Sequence, residues 1–162
     1  MAHYRTSTLT TSAPAHEVLD RLADFASVAE WDPGIAAARL LTGTAGRVGA
    51  TYEVISAFGP QRTRLEYRVV ERAEPTDSQP GRVVLVADDG RLVSHDTITV
   101  TPIAAGCEVT YDARLTLTGP ARMLDLPLNL AFQVIGRRAE SGLRAELDRL
   151  VSHRRPAAGG PR

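Results

Sequence analysis

The sequence predicts an α+β fold in which a curved antiparallel sheet of about seven strands wraps around one long C-terminal helix. Three observations lead there. Between residues 50 and 117 several runs alternate apolar and polar residues with period two, and no helical pattern interrupts them. From Leu128 to about Ser152 the pattern turns helical, roughly 25 residues that span about 37 Å, enough to lie across strands of eight to eleven residues, roughly 27–37 Å long. Two short helical patterns sit between the first strand and the rest of the sheet.

Taken in order, Tyr4 to Thr11 is Thr-rich and bounded by turn residues, which suits an edge strand. Ser12-Ala13-Pro14 opens a helix with Pro14 in its first turn, Glu17 near the positive dipole end, and Val18, Leu19 and Leu22 on one face. Asp24 reads as the cap of a second short helix through Glu30, stopped by Asp32-Pro33-Gly34. Ile35 to Leu41 is a weak strand, followed by a loop punctuated by Gly43, Gly46 and Gly49. Ala50, Tyr52, Val54, Ser56 and Phe58 share one strand face, and Thr63, Leu65, Tyr67 and Val69 the next. Val83 to Ala87 is a short apolar strand turned by Asp88-Asp89-Gly90 into a strand whose inward face is Leu92, Ser94, Asp96, Ile98 and Val100. Cys107, Val109, Tyr111, Ala113, Leu115 and Leu117 form one face of the last strand. Gly119-Pro120 ends the sheet, Pro127 interrupts the segment after it, and the long helix begins at Leu128.

Composition narrows the function. The 162 residues carry 19 basic and 19 acidic side chains, so the formal net charge is zero and the basic footprint of a nucleic-acid or anionic-lipid binder is missing. Every cation is Arg, which excludes a lysine Schiff base. A single cysteine, Cys107, permits no internal disulfide and no structural zinc site, and it reads as a small core residue. His3, His16 and His153 show no metal-ligand spacing, so no metal is expected. The N-terminal residues lack the apolar stretch of a secretion signal, and no run approaches the ~20 apolar residues of a membrane span. These features lead to an expectation of a cytoplasmic domain over residues 1–153, monomeric or homodimeric, with a disordered tail at 154–162. The glycine-rich run from Gly43 to Gly49 precedes a strand and has no lysine, so it is a turn rather than a phosphate loop.

The long helix carries the functional signal. Leu143, Leu147, Leu150 and Val151 form an ordinary core stripe, whereas Leu128, Leu130, Phe132, Val134 and Ile135 surround the helix. On the azimuth of the later stripe the first half carries Asn129, Gln133, Gly136 and Glu140, while Ser56, Thr63, Ser94 and Asp96 face inward from the sheet. Unpaired polar groups in a dry core cost about 1–3 kcal/mol each, so several facing one interior suggest that it holds water or a ligand. The alternatives are mutual pairing or a strand register off by one. In that register shift His95, placed outward here, would exchange with Asp96. The expected cavity is lined by Phe25 and Trp31 from the short helices and by Tyr52, Val54, Phe58, Leu65 and Tyr67 from the first strands. Ser94, Asp96, Ile98, Tyr111 and Ala113 continue it, and Met123, Asn129, Phe132, Gln133 and Gly136 close it from the helical segment.

Five segments carry a family resemblance: Ser12-Ala13-Pro14-Ala15-His16-Glu17-Val18, Trp31-Asp32-Pro33, Leu65-Glu66-Tyr67-Arg68-Val69, Asp96-Thr97-Ile98-Thr99-Val100-Thr101-Pro102 and Gly106-Cys107-Glu108-Val109-Thr110-Tyr111. In this order the chain from Tyr4 to His153 resembles the SRPBCC superfamily, of polyketide cyclase/dehydrase and lipid-transport type, related to START domains and the birch-allergen fold. The resemblance implies the helix-grip fold and a hydrophobic cavity between sheet and long helix, entered near the short helices. It also implies activities ranging from cofactor-free polyketide cyclisation, aromatisation or dehydration to lipid carriage, hormone binding and protein interaction. No family catalytic motif maps residue by residue onto this chain.

The candidate catalytic group is Asp96, Tyr111 and Tyr67. An inward Asp96 with a desolvated, raised pKa suits a general acid or base, and Tyr52, Tyr67 and Tyr111 suit donors to a ligand carbonyl. The competing readings are an Asp96 paired with Arg and tyrosines that only wall the core. Trp31 and Phe25 either gate the mouth or anchor the short helices. Three functions follow as expectations: an enzyme without cofactor acting on a polyketide-, lipid- or isoprenoid-like molecule, a non-catalytic carrier or sensor, or an interaction module using the apolar 128–135 segment.

Overall fold

The computed structural model describes residues 2–58, 61–118 and 125–154, with side chains described for residues 3–57, 62–118 and 136–153. Arg154, expected to open the tail at 154–162, is the last residue of the C-terminal helix; the rest of that expected tail and the candidate Met123 lie outside the described residues, as do the side chains of Phe58, Asn129, Phe132 and Gln133 and the whole apolar 128–135 surface.

One curved sheet holds eight strands: β1 (Ala2–Arg5), β2 (Leu9–Thr11), β3 (Ile35–Thr42), β4 (Thr51–Phe58), β5 (Gln61–Ala73), β6 (Gly81–Asp88), β7 (Leu92–Ile103) and β8 (Gly106–Leu117). Their spatial order is β1-β8-β7-β6-β5-β4-β3, with β2 also on β8 and all these pairs antiparallel. The single edge strand expected over residues 4–11 is two short strands, because the chain leaves the ladder at Thr6. There the Thr6 hydroxyl replaces a carbonyl, accepting from the Tyr111 N–H at 2.9 Å, while the Thr6 N–H still reaches the Tyr111 carbonyl at 2.9 Å.

From β2 at one edge the chain crosses to β3 at the other through α1 (Ala15–Ala23), a 3-10 turn (Phe25–Ser27) and α2 (Val28–Trp31). The expected second helix is thus split. Asp24 caps only its 3-10 part, its carboxylate accepting from the Ala26 N–H at 3.3 Å. The C-terminal helix, α3, spans Asp125–Arg154. Pro127 does not interrupt it; it sits in the first turn, where a missing N–H costs nothing.

The alternation predicted for the strands sets the core. Tyr52, Val54, Leu65, Tyr67, Val69, Val83, Leu85, Ile98, Val100, Cys107, Val109 and Tyr111 are buried on the concave face. Val18, Leu19 and Leu22 of α1, Phe25, Val28 and Trp31 cover part of it, and Leu143 and Leu147 of α3 join the same core. His95 lies on the other face, half-buried, between Val86 and Arg114 in register.

Two glycines bring α3 close. Gly136 lies against the Tyr4 ring and Gly142 against the Trp31 carbonyl, both closer than a Cβ would allow. Glu140 then accepts from the Tyr4 hydroxyl at 2.9 Å and the Ser7 N–H at 3.0 Å, pinning the helix to the β1–β2 edge. Further along, the buried Glu146 carboxylate meets Arg21 of α1 at 2.7 Å and Arg149 at 2.9 Å, and Arg21 also holds Glu30 of α2 at 2.7 Å. Loss of one partner from such a buried pair strands the other charge, so the network holds the three helices in one arrangement over the sheet.

Gly142→Ala drives a methyl into the Trp31 carbonyl. Overpacking of this kind costs about 1–3 kcal/mol, and at roughly 2–4 °C per kcal/mol for a chain of this size a melting temperature lower by several degrees is expected. An unchanged melting temperature would contradict the close docking.

Candidate functional site

The strand register places a polar group on the concave face. Asp96 of β7 stands between Leu85 of β6 and Ala113 of β8, and its side chain is 3% exposed. Ser94, two residues before it on the same face, donates to Oδ1 at 3.2 Å. Tyr111 of β8 and Tyr67 of β5 bring their hydroxyls to the same carboxyl. Loss of solvent pushes the Asp96 pKa up to about 7; hydrogen bonds from Tyr111, Ser94 and Tyr67 restrain the shift, and the charge of Asp32 adds to it. Burial, followed by the Asp96 charge, holds both tyrosine hydroxyls well above their ordinary pKa, so they remain proton donors.

Asp32 is the residue that sequence reasoning missed. It ends α2, and its Oδ1 accepts from the Gly34 N–H at 2.8 Å, closing the turn into β3. The helix-stop reading of Asp32-Pro33-Gly34 describes that role correctly, yet the side chain is also buried. Desolvation raises its pKa to about 6, with the Gly34 N–H pulling the other way. Nothing in the local pattern marks this; only the docking of α2 against the sheet does.

An aromatic layer lies beside the carboxyls. The Trp31 ring meets Tyr111 edge to face, centroids 5.7 Å apart, and Phe25 packs on Tyr67 at 5.1 Å and on Tyr52 at 6.4 Å. Trp31 and Phe25 are both buried, in the core between the short helices and the sheet. The Trp31 Nε1–H is buried and has no hydrogen-bond partner among the described residues. The Tyr52 hydroxyl accepts from the Gly46 N–H at 2.6 Å, which secures the glycine-rich turn, and has the Asp24 carboxylate as a further hydrogen-bond partner.

Val54, Leu65, Ile98 and Ala113 are buried on the face that carries Asp96. Ser56 is satisfied locally by the Thr63 carbonyl at 3.2 Å. Gly136 faces Tyr4, and Glu140 serves the β1–β2 edge, so neither joins the Asp96 group. Cys107 is buried, and desolvation lifts its thiol to about 11, which keeps it unreactive. A separate surface depression of about 380 Å³, lined by Ser12, His16, Pro75, Asp77 and Pro102 among others, holds none of the candidate residues.

What the site offers is one carboxyl able to take or give a proton near neutral pH, two phenol donors beside it, and a second carboxyl close enough to influence it. An antiparallel sheet closed by a long helix, with this group on its concave face, is the helix-grip arrangement. The chain belongs to the polyketide cyclase / dehydrase and lipid transport family, whose model matches residues 1–154. No curated protein matches the chain. Among solved structures it is similar to a START superfamily protein from Mycobacterium smegmatis at 13% identity and TM-score 0.72, covering 93% of this chain and 99% of that one. The Zhui aromatase/cyclase from Streptomyces sp. R1128 is similar at 16% identity and TM-score 0.65, with 98% of each chain covered. A STAR-related lipid transfer protein from Xanthomonas axonopodis is similar at 19% identity and TM-score 0.65, covering 90% of this chain and 85% of that one. No helix among the described residues is long and apolar enough to cross a membrane.

The raised Asp96 pKa has a consequence for stability. An unfolded aspartate titrates near about 3.9 and the folded one near about 7. Between these values the folded state holds the extra proton, so stability falls as pH rises through that window and levels off above it. Asp96→Asn removes the penalty: the variant should melt above the wild type at pH 8, with the gap closing towards pH 4. A gap independent of pH would contradict the assignment.

Proposed function

We propose that the domain binds an apolar small molecule of polyketide, lipid or isoprenoid type between the sheet and α3, and that Asp96 exchanges a proton with it without a cofactor. The observation that supports this is the chemistry around Asp96: a carboxyl at about 7, among neutral hydroxyls from Ser94, Tyr67 and Tyr111 and near the buried Asp32, in a wall built from apolar side chains. A carboxyl kept only for structure is better served by a guanidinium, as Glu146 is here. The family and the likeness to an aromatase/cyclase favour the same reading.

In the reaction this arrangement suits, the Asp96 carboxylate takes a proton from a carbon beside a carbonyl. A tyrosine hydroxyl steadies the developing enolate oxygen. The enolate carbon attacks a second carbonyl of the same molecule, a carbon–carbon bond forms, and Asp96 returns its proton to the new alkoxide. Protons balance, and nothing is oxidised or reduced.

Native mass spectrometry of the purified protein, followed by extraction of the bound compound, tests both parts. Ala113→Phe places a ring directly opposite Asp96 in register and should empty the protein of that compound; retention would contradict interior binding. Asp96→Asn should keep the compound bound and lower turnover by about 10²–10⁴-fold. Equal turnover in the variant would remove the proton role, and recovery of chemically unchanged compound from the wild type would make the domain a carrier.

A further inference from the structure

The Trp31 indole is a buried donor with nothing to donate to. Its Nε1–H has no partner among the described residues, although the side chain is 3% exposed and buried polar groups are nearly always bonded. Packing alone does not need the nitrogen: the ring meets Tyr111 edge to face, an arrangement that phenylalanine also supplies. The indole cannot turn away easily: its ring is buried against Tyr111, and Gly142 of α3, pressed against the Trp31 carbonyl, fixes the backbone that carries it. Tyr111 links the two halves of the site, its ring on Trp31 and its hydroxyl on Asp96.

We propose that Trp31 Nε1–H is a recognition donor for an acceptor oxygen of the bound molecule, distinct from the polar group that meets Asp96. The proposal rests on interior binding as set out under Proposed function and narrows the ligand to an apolar compound with at least two oxygens. One is held at Asp96 with its tyrosines, and one, a carbonyl or ether acceptor, lies at the end of α2. A plain hydrocarbon leaves the indole unsatisfied and is bound less well. An alcohol or acid whose single oxygen occupies the Asp96 end gains nothing at the indole in the same way, since the Nε1–H is already buried without a partner among the described residues of the ligand-free protein and only a second acceptor adds a bond.

Trp31 is the chain's one tryptophan, so a single indole ¹H–¹⁵N resonance reports the bond directly in the wild-type protein. Two probes of similar size separate the contributions: benzoylacetone, with two carbonyls, and butylbenzene, with no oxygen. Both should shift the methyl signals of Ile98 and Ala113, and only benzoylacetone should move the indole proton downfield. Trp31→Phe should weaken benzoylacetone by about fivefold to tenfold, the worth of one hydrogen bond, and leave butylbenzene within about twofold. Methyl shifts with benzoylacetone while the indole proton stays in place would overturn the Trp31 assignment and leave interior binding intact. Neither probe disturbing the Ile98 or Ala113 methyls would overturn both.

Discussion

A carboxyl on the inward face of a sheet has few ways to exist. Ionised and alone it is too costly, so it must be paired with a cation, kept protonated, or met by groups that share its charge. Among the described residues Asp96 is given no cation: its partners there are one serine and two tyrosines. Glu146, equally buried, has two arginines. The contrast divides the molecule into a part that uses buried charge to fasten helices and a part that keeps a carboxyl close to its titration point. The second part lies on the concave face of the sheet, between β5, β7 and β8.

The rest of the architecture holds that face in position. The chain crosses from one sheet edge to the other through α1, the 3-10 turn and α2, which brings Trp31 and Asp32 beside Tyr111 and Asp96. Helix α3 then locks α2 by direct backbone approach at Gly142 and locks the β1–β2 edge through Gly136 and Glu140. Asp32 shows how one residue serves both purposes. Its bond to the Gly34 N–H shapes the entry to β3, while its burial puts a second carboxyl close enough to bias the first.

Legibility in the sequence followed the range of the interaction. Period-two alternation is local, so the inward positions of Ser94, Asp96, Ile98 and Tyr111 and the outward position of His95 were readable residue by residue. The break of the first strand at Thr6 was not, because it depends on a side-chain bond to Tyr111 more than 100 residues away. Helical spacing placed Gly136 and Glu140 on the interior azimuth, but spacing says nothing of what stands opposite. Tyr4 and Ser7 stand there. Tyr52 has the expected face, but spacing does not reveal the partners of its hydroxyl, a loop amide six residues before it and the Asp24 carboxylate. Asp32 was hidden for the opposite reason: its turn-forming role explains it fully until α2 is docked.

The account stands or falls on the proton at Asp96. Carbon-13 NMR of aspartate-labelled protein, with the resonance assigned by Asp96→Asn, follows that carboxyl through pH 3 to 9. The account predicts a midpoint near about 7; a midpoint close to about 4, the value of a solvated aspartate, would contradict it.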